Sequence, residues 1–377
     1  MKLHTWLAEP LAPEVAASLE RIQALDDVQH VAVMPDVHLA IEVCIGVALA
    51  TTELIYPAAV GADIGCGMAA VRLEADAQLL DSEQAAATVL ADLYRHVPWN
   101  RHPKATQPQL PATIANAPLS DPRLEQLRRR DGRVQFGTLG RGNHFLELQA
   151  DQTGQLWALV HSGSRSMGQM ITALHLLNPD ARSGGLACLL ASEPTGQAYL
   201  HDVAWALRYA EHSRLAMLQA AERLFRERFA VGVDWSTLIQ SHHNHVRYEE
   251  HFDQRWLVHR KGAQSAQADE PGILPGSMGA VSFHFVGKGC AAALCSSAHG
   301  AGRKLSRTEA SKRISSRQLE QQLEQQLGRI WFDHRRADQL REEAPAAYKD
   351  VRAVQRAQAE LTKVVRELRP VLSYKGV

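Results

Sequence analysis

The chain has 377 residues, 45% of them hydrophobic, enough to bury one large core or two smaller ones. Lys plus Arg number 41 and Asp plus Glu 41, so the net charge is zero; this excludes a uniformly basic nucleic-acid binder but not a local basic groove. Five cysteines without a C-x-x-C pair exclude a disulfide framework, and no apolar run is long enough for a membrane span or an export signal, which points to a reducing cytoplasm and no membrane partner.

Residues 28–33, 45–50 and 68–73 are apolar, β-branched in places and bounded by Pro and Gly, which predicts short strands. Residues 85–94 follow as an amphipathic helix. Residues 98–122, rich in Pro, Asn, Thr and Gln, are expected to be a surface excursion. Strands are expected again at 135–148 and 155–160, the second running straight into His161. Residues 204–229 are the clearest helix, with Leu207, Ala210, Leu215, Leu218, Ala221 and Phe225 near helical spacing. Residues 255–259 and 280–286 read as strands, 306–327 as a Gln- and Glu-rich helix, and 348–368 as a last helix stopped by Pro370. No repeat or linker divides the chain. The expectation is one α+β domain over residues 1–377, with mixed sheets, surrounding helices and a site at the mouths of several strands.

Candidate metal ligands stand in glycine-flanked runs. Asp63 and Cys66 are separated by a turn that Gly65 and Gly67 permit. His144 follows Gly142-Asn143, and His161 ends an apolar strand and precedes Ser162-Gly163-Ser164-Arg165. In His242-His243-Asn244 the side chains alternate, so only one of the two histidines faces the site. A thiolate among imidazoles favours zinc or iron by softness alone. Arg165 and Arg303 have the fork geometry for phosphate. His299-Gly300-Ala301-Gly302-Arg303 lets a phosphorus atom approach an imidazole, which can attack it and form a phosphoramidate. Pro275-Gly276-Ser277-Met278-Gly279 is a second loop suited to phosphate or ribose, His259-Arg260-Lys261-Gly262-Ala263 adds a basic cluster, and Lys375-Gly376-Val377 has the look of a frayed tail.

These runs occur in one order together with Met34-Pro35-Asp36-Val37-His38, Glu147, Glu249-Glu250-His251-Phe252, Ala347-Tyr348-Lys349-Asp350 and Leu368-Arg369-Pro370. In that order the chain resembles the RtcB family of RNA-splicing and repair ligases, from about residue 30 to 376. The resemblance implies a ligase dependent on GTP and manganese. Such an enzyme joins an RNA 3′-phosphate or 2′,3′-cyclic phosphate end to a 5′-hydroxyl end through a guanylylated histidine, here His299. It implies that Cys66 bridges two manganese ions, with Asp63 and His144 on one and His161 and His243 on the other, zinc being an inhibitor. It places Asn143, Glu147, Asn244, Ser277, Ser282, Gly300, Gly302 and Lys375 on the guanylate, and Arg165 and Arg303 on RNA or nucleotide phosphates. Some family members rely on an accessory activator.

The chain departs from the family pattern after His38, where Leu39-Ala40-Ile41-Glu42-Val43-Cys44 replaces a Pro-Gly continuation. It also departs at Ser213 before Arg214 and at Gly65 before Cys66. The ligand set is complete, so these departures point to a divergent bacterial paralogue with its own RNA, in repair or tRNA splicing. Two competing readings share the same residues: a metal-dependent phosphoesterase that opens cyclic phosphates, and an RNA-end binder without catalysis.

Overall fold

Apolar stretches with period-two alternation, separated by Gly and Pro, become strands because each buries one face. The computed structural model describes residues 2–327 and 330–376; Met1, Gly328, Arg329 and Val377 of the expected domain lie outside the described residues. In chain order the first strands are β1 (Lys2–Thr5), β2 (Val28–His38), β3 (Ile45–Thr51), β4 (Leu54–Ile55), β5 (Gly67–Asp76), β6 (Phe145–Asp151), β7 (Gln155–Ser162), β8 (Ala181–Ser183) and β9 (Leu186–Leu190). The rest are β10 (Val233–His242), β11 (Asn244–His251), β12 (Gln254–Lys261), β13 (Ala263–Ser265), β14 (Pro271–Leu274), β15 (Ser282–Gly287), β16 (Ser296–Ala298) and β17 (Thr362–Lys375).

A seven-stranded antiparallel sheet has the order β10-β5-β7-β6-β17-β15-β14. A five-stranded sheet has the order β1-β2-β3-β12-β11, parallel only between β1 and β2. Two small sheets, β13-β16 and β4-β9-β8, complete the α+β architecture. The helix Pro194–Phe229 lies on the large sheet. Its Met217, Leu218, Ala221, Leu224 and Phe225 are buried with Val71, Leu73, Leu146 and Val160 of the sheet. Each such aliphatic side chain contributes about 1.5–3 kcal/mol by leaving water. The register of these strands decides the site. His161 of β7 lies opposite Met68 of β5 and Phe145 of β6, and His242 of β10 lies opposite Gly67 of β5. The near ends of β10, β5, β7 and β6 are therefore level with one another.

Five expectations are corrected here. Residues 348–368 are not one helix: the helix Val351–Ala357 is followed by β17, which runs through Pro370. Pro370 does not stop the strand because the ladder shifts register between Pro370 and Leu372, and a bulge needs no N–H there. Lys375 is consequently not a frayed end; it pairs with Phe145 across the sheet and is buried. Residues 136–144 form a loop ahead of β6, with Gly137, Gly140 and Gly142 at positive φ that no strand accepts. The 98–122 excursion is only partly superficial, since it drives Ile114 and Leu119 into a core cluster. Residues 306–327 break into two helices, Arg307–Arg313 and Ser316–Leu327, the first opened by a Ser306–Glu309 capping box.

Candidate active site

The level strand ends bring the candidate ligands together. Cys66 immediately precedes β5, His144 precedes β6, His161 is in β7, and His243 joins β10 to β11. Cys66 Sγ lies 3.4 Å from His144 Nε2 and 3.2 Å from His161 Nε2. His161 Nε2 lies 3.3 Å from His243 Nε2, and His144 Nε2 lies 3.0 Å from Asp63 Oδ2. Two triads result, Asp63–Cys66–His144 and Cys66–His161–His243, each with its donor atoms within 4.8 Å of one another and with Cys66 common to both. His242, next to His243, turns to the other face, where its Nδ1 meets Arg214 Nη2 at 3.2 Å. The alternation expected of a strand end thus selects His243.

Arg214 explains why the loops hold this shape. It is fully buried in the long helix, and its Nη1 donates to the carbonyls of Gly65 and Ser162, each at 2.9 Å. Ser213 beside it accepts from Gly137 N at 3.0 Å. Charge-assisted bonds of this kind contribute about 1.5–3 kcal/mol each, and these tie the Cys66 turn, β7 and the loop before β6 to one helix.

The donor chemistry fits divalent metal. Burial holds the His161 and His243 imidazoles well below their usual value, so both rings are neutral and offer lone pairs. His161 Nδ1 donates to Asn143 O at 3.1 Å, which leaves Nε2 as the acceptor aimed into the cluster. Burial pushes the Cys66 thiol well above its usual value, and the Asp63 carboxylate adds to this. Burial also raises Asp63, but the hydrogen bond and charge of His144 outweigh it and hold the carboxyl below its usual value. A cation between these groups satisfies converging acceptors and takes the proton from the thiol.

Gly163 gives this arrangement a sharp test. A Cβ there would meet Asp63 Oδ1 at 2.2 Å, although the Gly163 backbone itself is open to alanine. Gly163→Ala is expected to displace the Asp63 carboxylate and weaken metal at the Asp63 triad by about tenfold to a hundredfold. Metal per chain, measured by plasma mass spectrometry after gel filtration, should fall towards half that of the wild type, with the thermal midpoint lowered only slightly. Unchanged metal content would remove Asp63 from the ligand set.

A cavity of about 830 Å³ opens from this cluster. Asn143, Glu147, Ser277, His299, Gly300, Gly302 and Lys375 all line it. His299 Nδ1 lies 2.6 Å from Asp36 Oδ2, and the same carboxylate oxygen accepts from His299 N at 3.2 Å. The His299 ring centroid is 4.7 Å from that of His243. Burial pushes Glu147 up to about 7, against the hydrogen bond from Gln149 and the charge of Lys375. Lys375 Nζ is held 2.8 Å from Glu343 Oε2.

Four residues expected in contact with ligand have protein partners in the structure. Asn244 does not line the cavity; its amide donates to Asp63 O at 3.1 Å and accepts from Gly262 N at 2.9 Å, which braces the Cys66 turn. Ser282 lies behind Glu147 and accepts from Gln149 Nε2 at 2.9 Å. Arg303 borders the cavity, and its N–H groups donate to Glu343 Oε1, Tyr348 Oη, Glu342 O and Leu305 O, with one N–H of Nη2 left over. These bonds make its guanidinium a brace for the His299 loop. Arg165 does not line the cavity either; it has φ of 59° and donates to Thr138 Oγ1 and Trp99 O. Sequence reasoning passed over Asp36 and Arg307. Arg307 is exposed on the cavity wall 3.5 Å from Asn143 Oδ1, and Asp36 carried a signal only as a buried acid in an otherwise apolar strand.

A concave, polar-lined cavity at the ends of several strands, closed by convergent nucleophilic and metal-type side chains, defines an enzyme-like ligand site. Comparison with known proteins supplies the family. The model described as tRNA-splicing ligase RtcB matches residues 18–120 and 108–376. RNA-splicing ligase RtcB of Escherichia coli (strain K12) is 34% identical over 379 residues, which covers 92% of this chain and 90% of that protein. RNA-splicing ligase RtcB of Mycobacterium tuberculosis (strain H37Rv) is 32% identical over 302 residues, or 69% of this chain and 68% of that protein. The chain belongs to the RtcB family. Among the described residues, no helix is long and apolar enough to cross a membrane.

Proposed function

We propose that this protein is a GTP-dependent RNA ligase that seals RNA 3′-phosphate or 2′,3′-cyclic phosphate ends to 5′-hydroxyl ends in the cytoplasm, in RNA repair or tRNA splicing. The observation that carries this reading is His299. Its Nδ1 faces the Asp36 carboxylate at 2.6 Å, which leaves Nε2 as the ring nitrogen turned away from Asp36 and available as the nucleophile. That lone pair attacks the α-phosphorus of GTP; the bond to pyrophosphate breaks as the bond to nitrogen forms. The guanylate then passes to the RNA 3′-phosphate, a cyclic end having first been opened by hydrolysis, and the 5′-hydroxyl oxygen displaces GMP. Asp63, Cys66, His144, His161 and His243 would hold two manganese ions, which would supply charge neutralisation for the transferring phosphate when bound. Glu147, Ser277 and Lys375 line the cavity wall beside His299 and suit the nucleotide. The relatives named as RNA-splicing ligases support RNA as the substrate.

Incubation with α-labelled GTP and manganese, followed by denaturing electrophoresis, tests this reading. Label on the protein is the expected result. Absence of label on folded, manganese-loaded protein, with or without a candidate activator, would favour cyclic-phosphate hydrolysis by the same cluster.

Asp36 makes the reading specific, as a positioning residue. Asp36→Asn is expected to slow label attachment on the order of 10³-fold, because an amide no longer selects the tautomer with Nε2 free. It should also shift the pH profile of attachment while metal content stays at the wild-type level. A lowered rate with an unmoved profile would make Asp36 merely structural.

A further inference from the structure

On the Asp63–Cys66–His144 side of the site, Arg141 stands exposed in the loop that leads to His144. Gly140 and Gly142 flank it at φ of 103° and 80°. A Cβ on Gly140 would meet His144 Nδ1 at 2.2 Å and Arg165 Nη1 at 2.6 Å. A Cβ on Gly142 would meet Arg307 Nη2 at 2.5 Å. The loop is therefore wedged between His144 and Arg165 on one side and Arg307 on the other, which only glycine allows. The Arg141 guanidinium carbon sits 4.4 Å from the centroid of the Trp99 ring. Trp99 is half-buried against the large core, and its carbonyl accepts from Gly140 N at 2.8 Å and Arg165 Nη2 at 3.3 Å. Among the described residues, no carboxylate pairs with Arg141. Arg101 and Lys104 follow Trp99 and are exposed. In a chain of zero net charge these three cations stand exposed on the segment that follows Trp99 and on the loop that leads to His144.

We propose that Arg141, already stacked on Trp99, is the platform on which an unpaired base near the 5′-hydroxyl end of the RNA rests. The proposal rests on the ligase reading. The guanidinium carbon lies over the Trp99 ring at 4.4 Å, which leaves the guanidinium's other side for a base and its N–H groups for the adjoining phosphate. The choice of strand follows from the two triads. His299 stands against His243, so the nucleotide and the RNA 3′-phosphate it activates occupy the Cys66–His161–His243 side. The Asp63 side, where the carboxylate is about one-third exposed, is left for the incoming strand.

The test is fluorescence anisotropy of a 5′-hydroxyl decanucleotide, labelled at its blocked 3′ end, on the manganese-loaded full chain. Arg141→Ala and Trp99→Leu are expected to weaken binding about tenfold. Arg141→Lys should weaken it nearly as much, because charge remains while the plane is lost, and Trp99→Phe should retain most of the affinity. Arg141 is exposed, so Arg141→Ala carries the test if Trp99→Leu fails to fold. Binding by Arg141→Ala within twofold of wild type overturns the platform. Full rescue by Arg141→Lys overturns the stacking. A matching loss for a 3′-phosphate oligonucleotide with a blocked 5′ end overturns the strand assignment. Covalent label from GTP on the wild type is scored separately. A protein that takes no label yet shows the tenfold, strand-specific loss supports the platform and sinks the ligase reading instead.

Discussion

His299→Ala is expected to take no label from α-labelled GTP, and to lower RNA sealing by on the order of 10⁴-fold or more. The size of the effect follows from what the side chain alone supplies. In the proposed reaction Nε2 is the atom that bonds to phosphorus, while Nδ1 faces Asp36 at 2.6 Å. His38 of β2 has its ring centroid 6.5 Å away, but its Nδ1 is engaged with Asp36 O. Metal content should be unchanged, because His299 belongs to neither triad. The decisive comparison adds RNA whose 3′ end already carries an activated guanylate. That substrate bypasses the histidine, so His299→Ala should seal it at a rate within about tenfold of wild type. Label persisting on His299→Ala would place the nucleophile elsewhere, whereas failure to seal the activated RNA with intact metal would give His299 a second role in the last step.

The site was more legible in the sequence than the topology was. Each candidate metal ligand stood next to glycine or at the end of an apolar run, and those are the positions where strands open into loops. His243 was chosen over His242 in the structure by the same two-residue alternation that left the choice open in the sequence. What failed were readings that needed long-range partners. Residues 362–375 carry no strong local strand signal, yet β17 is built because β6 and β15 offer ladders on both its sides. Pro370 reads locally as a stop and is neutral here, because the bulge removes the need for its N–H. The contacts of Arg303 and Asn244 were not legible for a related reason. A guanidinium beside a glycine loop can hold phosphate or brace the loop, and only Glu343, Tyr348 and the backbone carbonyls around Arg303 decide between them. Asp36 was hidden because its partner is 263 residues away in the chain.

Cys66→Ser should have the second largest effect, and it probes the feature that makes the cluster one unit. Sγ is 3.4 Å from His144 Nε2 in one triad and 3.2 Å from His161 Nε2 in the other, so one atom serves both. A serine hydroxyl is shorter, and it keeps its proton where a coordinated thiol would lose it. Both metals therefore lose a ligand at once, each expected to bind more weakly by about a hundredfold. Gly163→Ala, which disturbs Asp63 alone, should remove only one. The contrast is the test: with manganese held about tenfold above the wild-type dissociation constant, Gly163→Ala should retain about half the metal and Cys66→Ser almost none. Covalent label should fall with the metal in Cys66→Ser, since the α-phosphate would meet His299 without neutralisation. Two metals retained by Cys66→Ser would mean that the triads do not share the thiol. One metal retained would assign Cys66 to a single triad, and the Gly163→Ala result would identify which.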